Sequence, residues 1–111
     1  ELTYEISNGM LLVTPQDRID SGSAASFEER CAALIADGPN RVIIDFSQVH
    51  YISSAGLRAL LVVAKQAKSL GGALTLCGLH GNVKEVMSVS GFDALLGAHA
   101  GVADALAALE S

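Results

Sequence analysis

Two adjacent hydroxyl side chains, Ser53 and Ser54, open a segment whose leucines and alanines suit a helix. Hydroxyls at a helix start accept a hydrogen bond from one of the first amides, which have no partner inside the helix. The same end carries the positive pole of the helix dipole, so an added anion is favoured there. Small Ala55 and Gly56 follow, leaving room for another protein's active site to approach the hydroxyls. Two chemistries therefore compete for this pair: helix capping, which the pattern alone favours as the simpler account, and phosphoryl acceptance at a regulatory joint.

Other chemistries fit less well. A serine hydrolase places its nucleophile on an elbow flanked by glycines, and Ser53 and Ser54 lack the first of them, so no catalytic residue is expected. His50, His80 and His99 fall in three separate expected loops with no carboxylate or cysteine at ligand spacing, which argues against a metal site. Gly71, Gly72, Gly78 and Gly81 match neither a phosphate loop nor a dinucleotide fingerprint, and no cofactor is implied. Cys31 and Cys77 lie in apolar stretches and read as buried free thiols.

The serines must be positioned by what precedes them. Val42-Ile43-Ile44 has the composition of a strand buried on both faces, and the spacing predicts a strand over 41–46 that passes through a short loop into a helix from about Ser54 to Leu70. Leu57, Leu60, Leu61, Ala64 and Ala67 are expected to face the sheet, with Arg58, Lys65 and Lys68 toward water. Upstream, Thr3 to Ser7 and Met10 to Thr14 flank Asn8-Gly9, a strong hairpin signal. Pro15 to Ser23 reads as a loop ending in a Ser21 or Ser23 cap. It leads into a helix over 24–36 with Phe27, Cys31, Leu34 and Ile35 on one stripe. Strand, helix, strand at this spacing implies a parallel crossover.

Downstream, Gly71-Gly72 ends the second helix and Ala73 to Leu79 forms a strand. Asn82 is expected to cap a short helix that stops near Gly91. Phe92 to Ala98 has room for a short edge strand before a last helix from Val102 to Leu109, which buries Leu106 and Leu109. The expected architecture is α/β: a mixed sheet of four to five strands with an N-terminal hairpin and about four amphipathic helices.

A chain of 111 residues, half of them hydrophobic, is sized for a single domain over residues 1–111. Seven Lys and Arg against twelve Asp and Glu give a net charge of −5, and the basic residues are scattered. Nucleic acid binding needs a basic stripe and is not expected. No apolar run approaches the roughly 18 residues that span a bilayer, and no leader pattern is visible, so neither membrane insertion nor export is expected; the expected location is the cytoplasm. The sequence begins at Glu1 without an initiator Met, so a trimmed terminus could hide a few residues.

The central stretch resembles that of the STAS domains, the family of the anti-sigma factor antagonists. Members carry a hydrophobic strand, an Asp-Leu-Ser or Asp-Phe-Ser turn and a segment of the type aromatic-Met/Ile-Asp-Ser-Ser/Thr-Gly-Leu. Here these read Asp45-Phe46-Ser47 and Tyr51-Ile52-Ser53-Ser54-Ala55-Gly56-Leu57. Gly71-Gly72, Cys77-Gly78-Leu79 and Ser90-Gly91-Phe92 also look like this family, as does the element order, so the resemblance covers nearly the whole chain. It implies the STAS fold and identifies Ser54 as the phosphoacceptor. The family's preceding Asp is replaced by Ser53, which removes one carboxylate. A Gly-Glu/Arg-Leu-Asp signature of the family appears as Asp17-Arg18-Ile19-Asp20, with the leading Gly absent and Asp20 matched.

By the same resemblance, the partner is a serine-kinase anti-sigma factor of the GHKL type, bound when Ser54 is free and released when it is phosphorylated. A PP2C-type phosphatase resets the switch. Loops that leave the carboxyl ends of neighbouring parallel strands lie side by side, so the expected partner surface joins Asp20 and Ser21 to Ser53, Ser54, Ala55, Gly56 and Arg58. An alternative within the family is an accessory subunit or domain of a transporter, either of ABC-type lipid transport or of anion transport.

Overall fold

A computed structural model describes residues 1–110, so Ser111, the last residue of the expected single domain, lies outside the described residues. The chain opens with β1 (Leu2–Ser7) and β2 (Met10–Pro15), paired antiparallel across Asn8-Gly9. Both turn residues have positive φ, 54° and 77°, the backbone that matches a two-residue turn to the twist of its strands. Next come β3 (Asp17–Ile19), α1 (Ala24–Ala36), β4 (Arg41–Asp45), β5 (Val49–Ile52) and α2 (Ser54–Ser69). The chain continues through β6 (Ala73–Cys77), α3 (Gly81–Ser90), α4 (Phe92–Leu96), β7 (Ala98–His99) and α5 (Val102–Glu110).

The main sheet has the order β1-β2-β4-β6-β7, with β1 antiparallel and the remaining neighbours parallel. Val42, Ile43 and Ile44 of β4 are all buried because the strand is covered on both faces, which explains its unbroken β-branched run. Val42 and Ile44 join Leu11, Val13, Leu74 and Leu76 in one core with Phe27, Cys31 and Ile35 of α1 and Leu60, Val63 and Ala67 of α2. Ile43 and Cys77 face the other way, onto Ala105 of α5.

The turn after α2 is clamped to the turn after α1. Asn40 Nδ2 donates to the Leu70 carbonyl at 2.7 Å and the Ala73 N–H donates to the Asn40 carbonyl at 3.1 Å. A Cβ on Gly72 would lie 1.9 Å from that carbonyl oxygen, so this close approach admits glycine alone.

Several expectations are corrected. The supposed loops at 15–23 and 47–53 contain β3 and β5, which pair parallel with each other in a separate two-stranded sheet. Each is too short to show periodicity, and each is held by a partner distant in sequence. Ser23 stands at the cap position of α1 without a capping side-chain bond, and α3 begins at Gly81 after His80, one residue before the expected Asn82 cap. Phe92 to Leu96 is helical, leaving β7 with two residues, so the helices number five among the described residues. The buried stripe of α2 is rotated relative to expectation, because the helix packs against α1 as well as the sheet. Gly56, Ala59, Leu60, Val63, Ala64 and Ala67 are buried, whereas Leu57 and Leu61 sit half-buried at its margin. In α5 the small Ala105 is the fully buried residue, with Leu106 and Leu109 half-buried around it.

Candidate functional site

The site begins where β4 ends. The Asp45 carboxylate accepts the Ser47 N–H at 2.9 Å, and the Phe46 N–H donates to the Cys77 carbonyl at 2.9 Å, so the Asp45-Phe46-Ser47 turn leaves the main sheet under tight control. It delivers β5 alongside β3 with Arg18 opposite Tyr51 and Ile19 opposite Ile52. The isoleucines are buried and the Arg18 and Tyr51 side chains face solvent.

This small sheet sets the start of α2. The Ser53 N–H donates to the Ile19 carbonyl at 2.9 Å, continuing the β3–β5 pairing into the cap. Ser53 is extended (φ −93°, ψ 174°) and its hydroxyl accepts the Gly56 N–H at 3.2 Å, a normal capping bond. Ser54, the first residue of the helix, is exposed. The two hydroxyls therefore differ in kind: one is committed to the fold and the other is presented to solvent.

Ala55 is half-buried against the core and Gly56 is buried. A Cβ at Gly56 would lie 2.7 Å from both the Ile19 carbonyl oxygen and Ile52 Cγ1. The placement of Gly56 on the partner surface is thus corrected: it faces inward, and its lack of a side chain serves the seating of α2 on β3 and β5. Arg58 is exposed one helical turn beyond Ser54, a spacing that puts both on the same side of the helix.

The loop after β3 stands beside this helix start. Asp20 accepts the N–H groups of Gly22 at 2.9 Å and Ser23 at 3.1 Å, the Ser23 hydroxyl at 3.2 Å and Arg18 Nε at 2.7 Å. Desolvation acts to raise its pKa, but the bonds from Gly22, Ser23 and Arg18 outweigh it and hold the carboxyl below its usual value. Ser21 is exposed at the crown of this loop. The β3–β5 pairing therefore brings Asp20 and Ser21 to the same end of the molecule as Ser53, Ser54 and Arg58.

Sequence reasoning missed Arg18 and Tyr51. The guanidinium carbon lies 4.9 Å from the centre of the Tyr51 ring while Nε pairs with Asp20, so cation, ring and carboxylate form one exposed constellation next to the serines. The usable signal was the apolar second residue in Arg18-Ile19 and in Tyr51-Ile52, but the register that joins them is not readable from either segment alone.

Elsewhere, Cys31 and Cys77 are buried and free. Burial pushes both thiols up to about 12, aided at Cys77 by the Asp45 carboxylate. The histidines are not in separate loops as expected: His50 lies in β5 and His99 in β7, and the His50 ring meets His80 edge-on at 5.7 Å. Among the described residues no cluster of three metal-binding side chains occurs, and no helix is long and apolar enough to cross a membrane.

Comparison with known proteins adds four findings. A family model described as the STAS domain matches residues 1–105. The chain is 42% identical over 92 residues to BtrV of Bordetella bronchiseptica, named as a candidate anti-sigma factor antagonist, covering 83% of this chain and 79% of that one. Among solved structures, a protein of Thermotoga maritima described in the same terms superposes with a TM-score of 0.93 at 20% identity, covering 99% of this chain and 95% of that one. The Bacillus cell-fate determinant SpoIIAA, solved in its phosphorylated form, superposes with a TM-score of 0.75 at 14% identity, covering 96% of each chain. At these identities the structural likenesses establish the fold.

Proposed function

The chain belongs to the STAS domain family, and from that premise we propose that it is an anti-sigma factor antagonist switched by phosphorylation of Ser54. Unphosphorylated, it binds an anti-sigma factor in the cytoplasm and frees the sigma factor; phosphorylated, it lets go. The partner is a serine kinase of the GHKL type, and a PP2C-type phosphatase removes the phosphate. In the transfer, the Ser54 Oγ forms an ester bond to the γ-phosphorus of ATP as the bond to the β–γ bridging oxygen breaks, and the hydroxyl proton passes to a base of the kinase. The nucleotide, its metal ion and the catalytic groups belong to that partner; this chain contributes the acceptor and the docking surface.

The observation that carries this reading is the division of labour between the two serines: Ser53 caps α2, and Ser54 is exposed at its first position. The name of BtrV supports the antagonist role, and the phosphorylated form of SpoIIAA shows that a protein of this fold accommodates the modification. Physical chemistry is compatible with a switch that leaves the fold intact. A phosphate adds about −1.5 to −2 charges. No acidic residue occupies the first turn of α2, the helix dipole favours an anion there, and Arg58 lies one turn away. The cost falls on the interface, where burying a hydrated dianion opposes binding.

The proposed docking surface comprises Asp20, Ser21, Ser53, Ser54 and Arg58 at the β3–α1 loop and the start of α2. Tagged wild type and Ser54→Asp, used as baits in lysate of the source cells, test the reading. A serine kinase retained by the wild type and lost by Ser54→Asp is the expected result. A permease or transporter ATPase retained equally by both contradicts it.

A further inference from the structure

The outer strand of the main sheet, β1, has an open edge. In a hairpin closed by a two-residue turn, the flanking residues exchange both hydrogen bonds, and bonded and non-bonded pairs then alternate. Ser7, Glu5 and Thr3 accordingly bond to β2, and the Gln16 N–H donating to the Glu1 carbonyl at 3.0 Å continues that phase beyond the strands. The N–H and C=O groups of Leu2, Tyr4 and Ile6 point the other way, along the free edge. One of them, the Leu2 carbonyl, is approached by Arg30 Nη1 at 3.5 Å.

Exposed edges are ordinarily shielded by several charges, a proline or a bulge. The stretch Leu2-Thr3-Tyr4-Glu5-Ile6 has one charge, no proline and an unbroken register with β2, and Tyr4 and Ile6 are each 50% exposed. It is also symmetric about Tyr4: apolar residues stand two positions to either side and polar residues one position to either side.

We propose that β1 pairs antiparallel with β1 of a second copy of this chain, around a two-fold axis at Tyr4. In that register the two Tyr4 residues face each other and Leu2 faces Ile6 of the second copy. Every outward N–H and C=O of the three residues then finds a partner. Glu5 falls opposite Thr3, so no carboxylate meets its own kind. An axis at Thr3 would pair Leu2 with Tyr4 but leave Ile6 without a partner in β1, an axis at Glu5 would leave Leu2 without one and set the two Glu5 carboxylates face to face, and an axis at Leu2 or Ile6 would leave two of the three residues without one. This self-complementarity singles out a second copy over a foreign strand. The resulting isologous interface joins two five-stranded sheets into one and leaves Arg30 to release or share the Leu2 carbonyl.

Sedimentation velocity across a concentration series up to the millimolar range, followed by disulfide trapping, tests the pairing. Wild type is expected to pass from monomer to dimer. Tyr4→Lys, which sets two ammonium groups together on the axis and replaces a half-exposed side chain, is expected to keep its circular dichroism spectrum and weaken dimerisation by about tenfold or more. Under mild oxidation Tyr4→Cys should cross-link to itself, because residues that face each other across paired strands lie within disulfide reach. Ile6→Cys should not, since its counterpart is several residues along the strand. A wild type that stays monomeric throughout, a dimer indifferent to folded Tyr4→Lys, or cross-linking of Ile6→Cys as fast as that of Tyr4→Cys would each overturn the proposal.

Discussion

Replacing Gly56 by Ala tests whether the site is built by close packing of α2 on the small β3–β5 sheet. The added methyl carbon would sit 2.7 Å from the Ile19 carbonyl oxygen, 2.7 Å from Ile52 Cγ1 and 3.0 Å from Ile19 Cγ2. The first neighbour is backbone, and both isoleucines are buried, so there is no flexible side-chain end that can swing aside. Overpacking of this kind costs about 1–3 kcal/mol. Alanine recovers part of that through helix propensity, at most about 1 kcal/mol. The expected net loss is about 1–2 kcal/mol, read as a fall in Tm of about 5 °C or more and a lower urea midpoint at unchanged slope. The start of α2 must also back away from β3, which stretches the 2.9 Å bond from the Ser53 N–H to the Ile19 carbonyl and displaces Ser54 from the Asp20 loop. Partner binding is therefore expected to fall by more than the stability loss alone explains, measured well below the melting temperature. Gly56→Ala melting at or above the wild-type temperature would refute the packing argument.

Ser53→Ala removes the capping acceptor and should cost about 1 kcal/mol, whereas Ser54→Ala should stay within about 0.5 kcal/mol of wild type; chemical denaturation of both separates the structural hydroxyl from the presented one. Because the folded-state pKa of Asp20 is depressed, its contribution is fully present above the ordinary carboxylate value, roughly 4, and fades as pH falls through the lower folded value. Melting curves of wild type and Asp20→Asn should accordingly converge toward acid and stand apart near neutrality. Both thiols, pushed up to about 12, should resist a thiol reagent in the native protein near pH 8 and react promptly once urea unfolds it.

The legible parts of the fold were those with a local signal. Asn8-Gly9 set the hairpin, Val42-Ile43-Ile44 marked the doubly covered strand, and the spacing of Phe27, Cys31 and Ile35 fixed α1 and its buried stripe. What the sequence hid was non-local. Strands of three and four residues carry no period, so β3 and β5 read as loops, and the Arg18–Tyr51 pairing is hidden with them. Gly56 reads as open space beside a serine because sequence does not say which side of a helix end will be covered; the Ile19 carbonyl that covers it lies 37 positions earlier in the chain. In α2, packing on a second helix turned the buried face away from Leu57 and Leu61 toward Ala59 and Val63. Ser53 and Ser54 are legible as a pair, but the capping bond to the Gly56 N–H is what distinguishes them.

Phosphosite mapping decides whether Ser54 is the acceptor. Wild type, Ser53→Ala and Ser54→Ala are incubated with the cognate kinase and ATP, and the tryptic peptide from Val42 to Arg58, which also contains Ser47, is sequenced by mass spectrometry. The expected result is one phosphate on Ser54 in wild type, the same site labelled in Ser53→Ala, and no label on the peptide from Ser54→Ala. Label that survives in Ser54→Ala, or a wild type left unmodified by a kinase shown to be active, would rule out Ser54 as the switch.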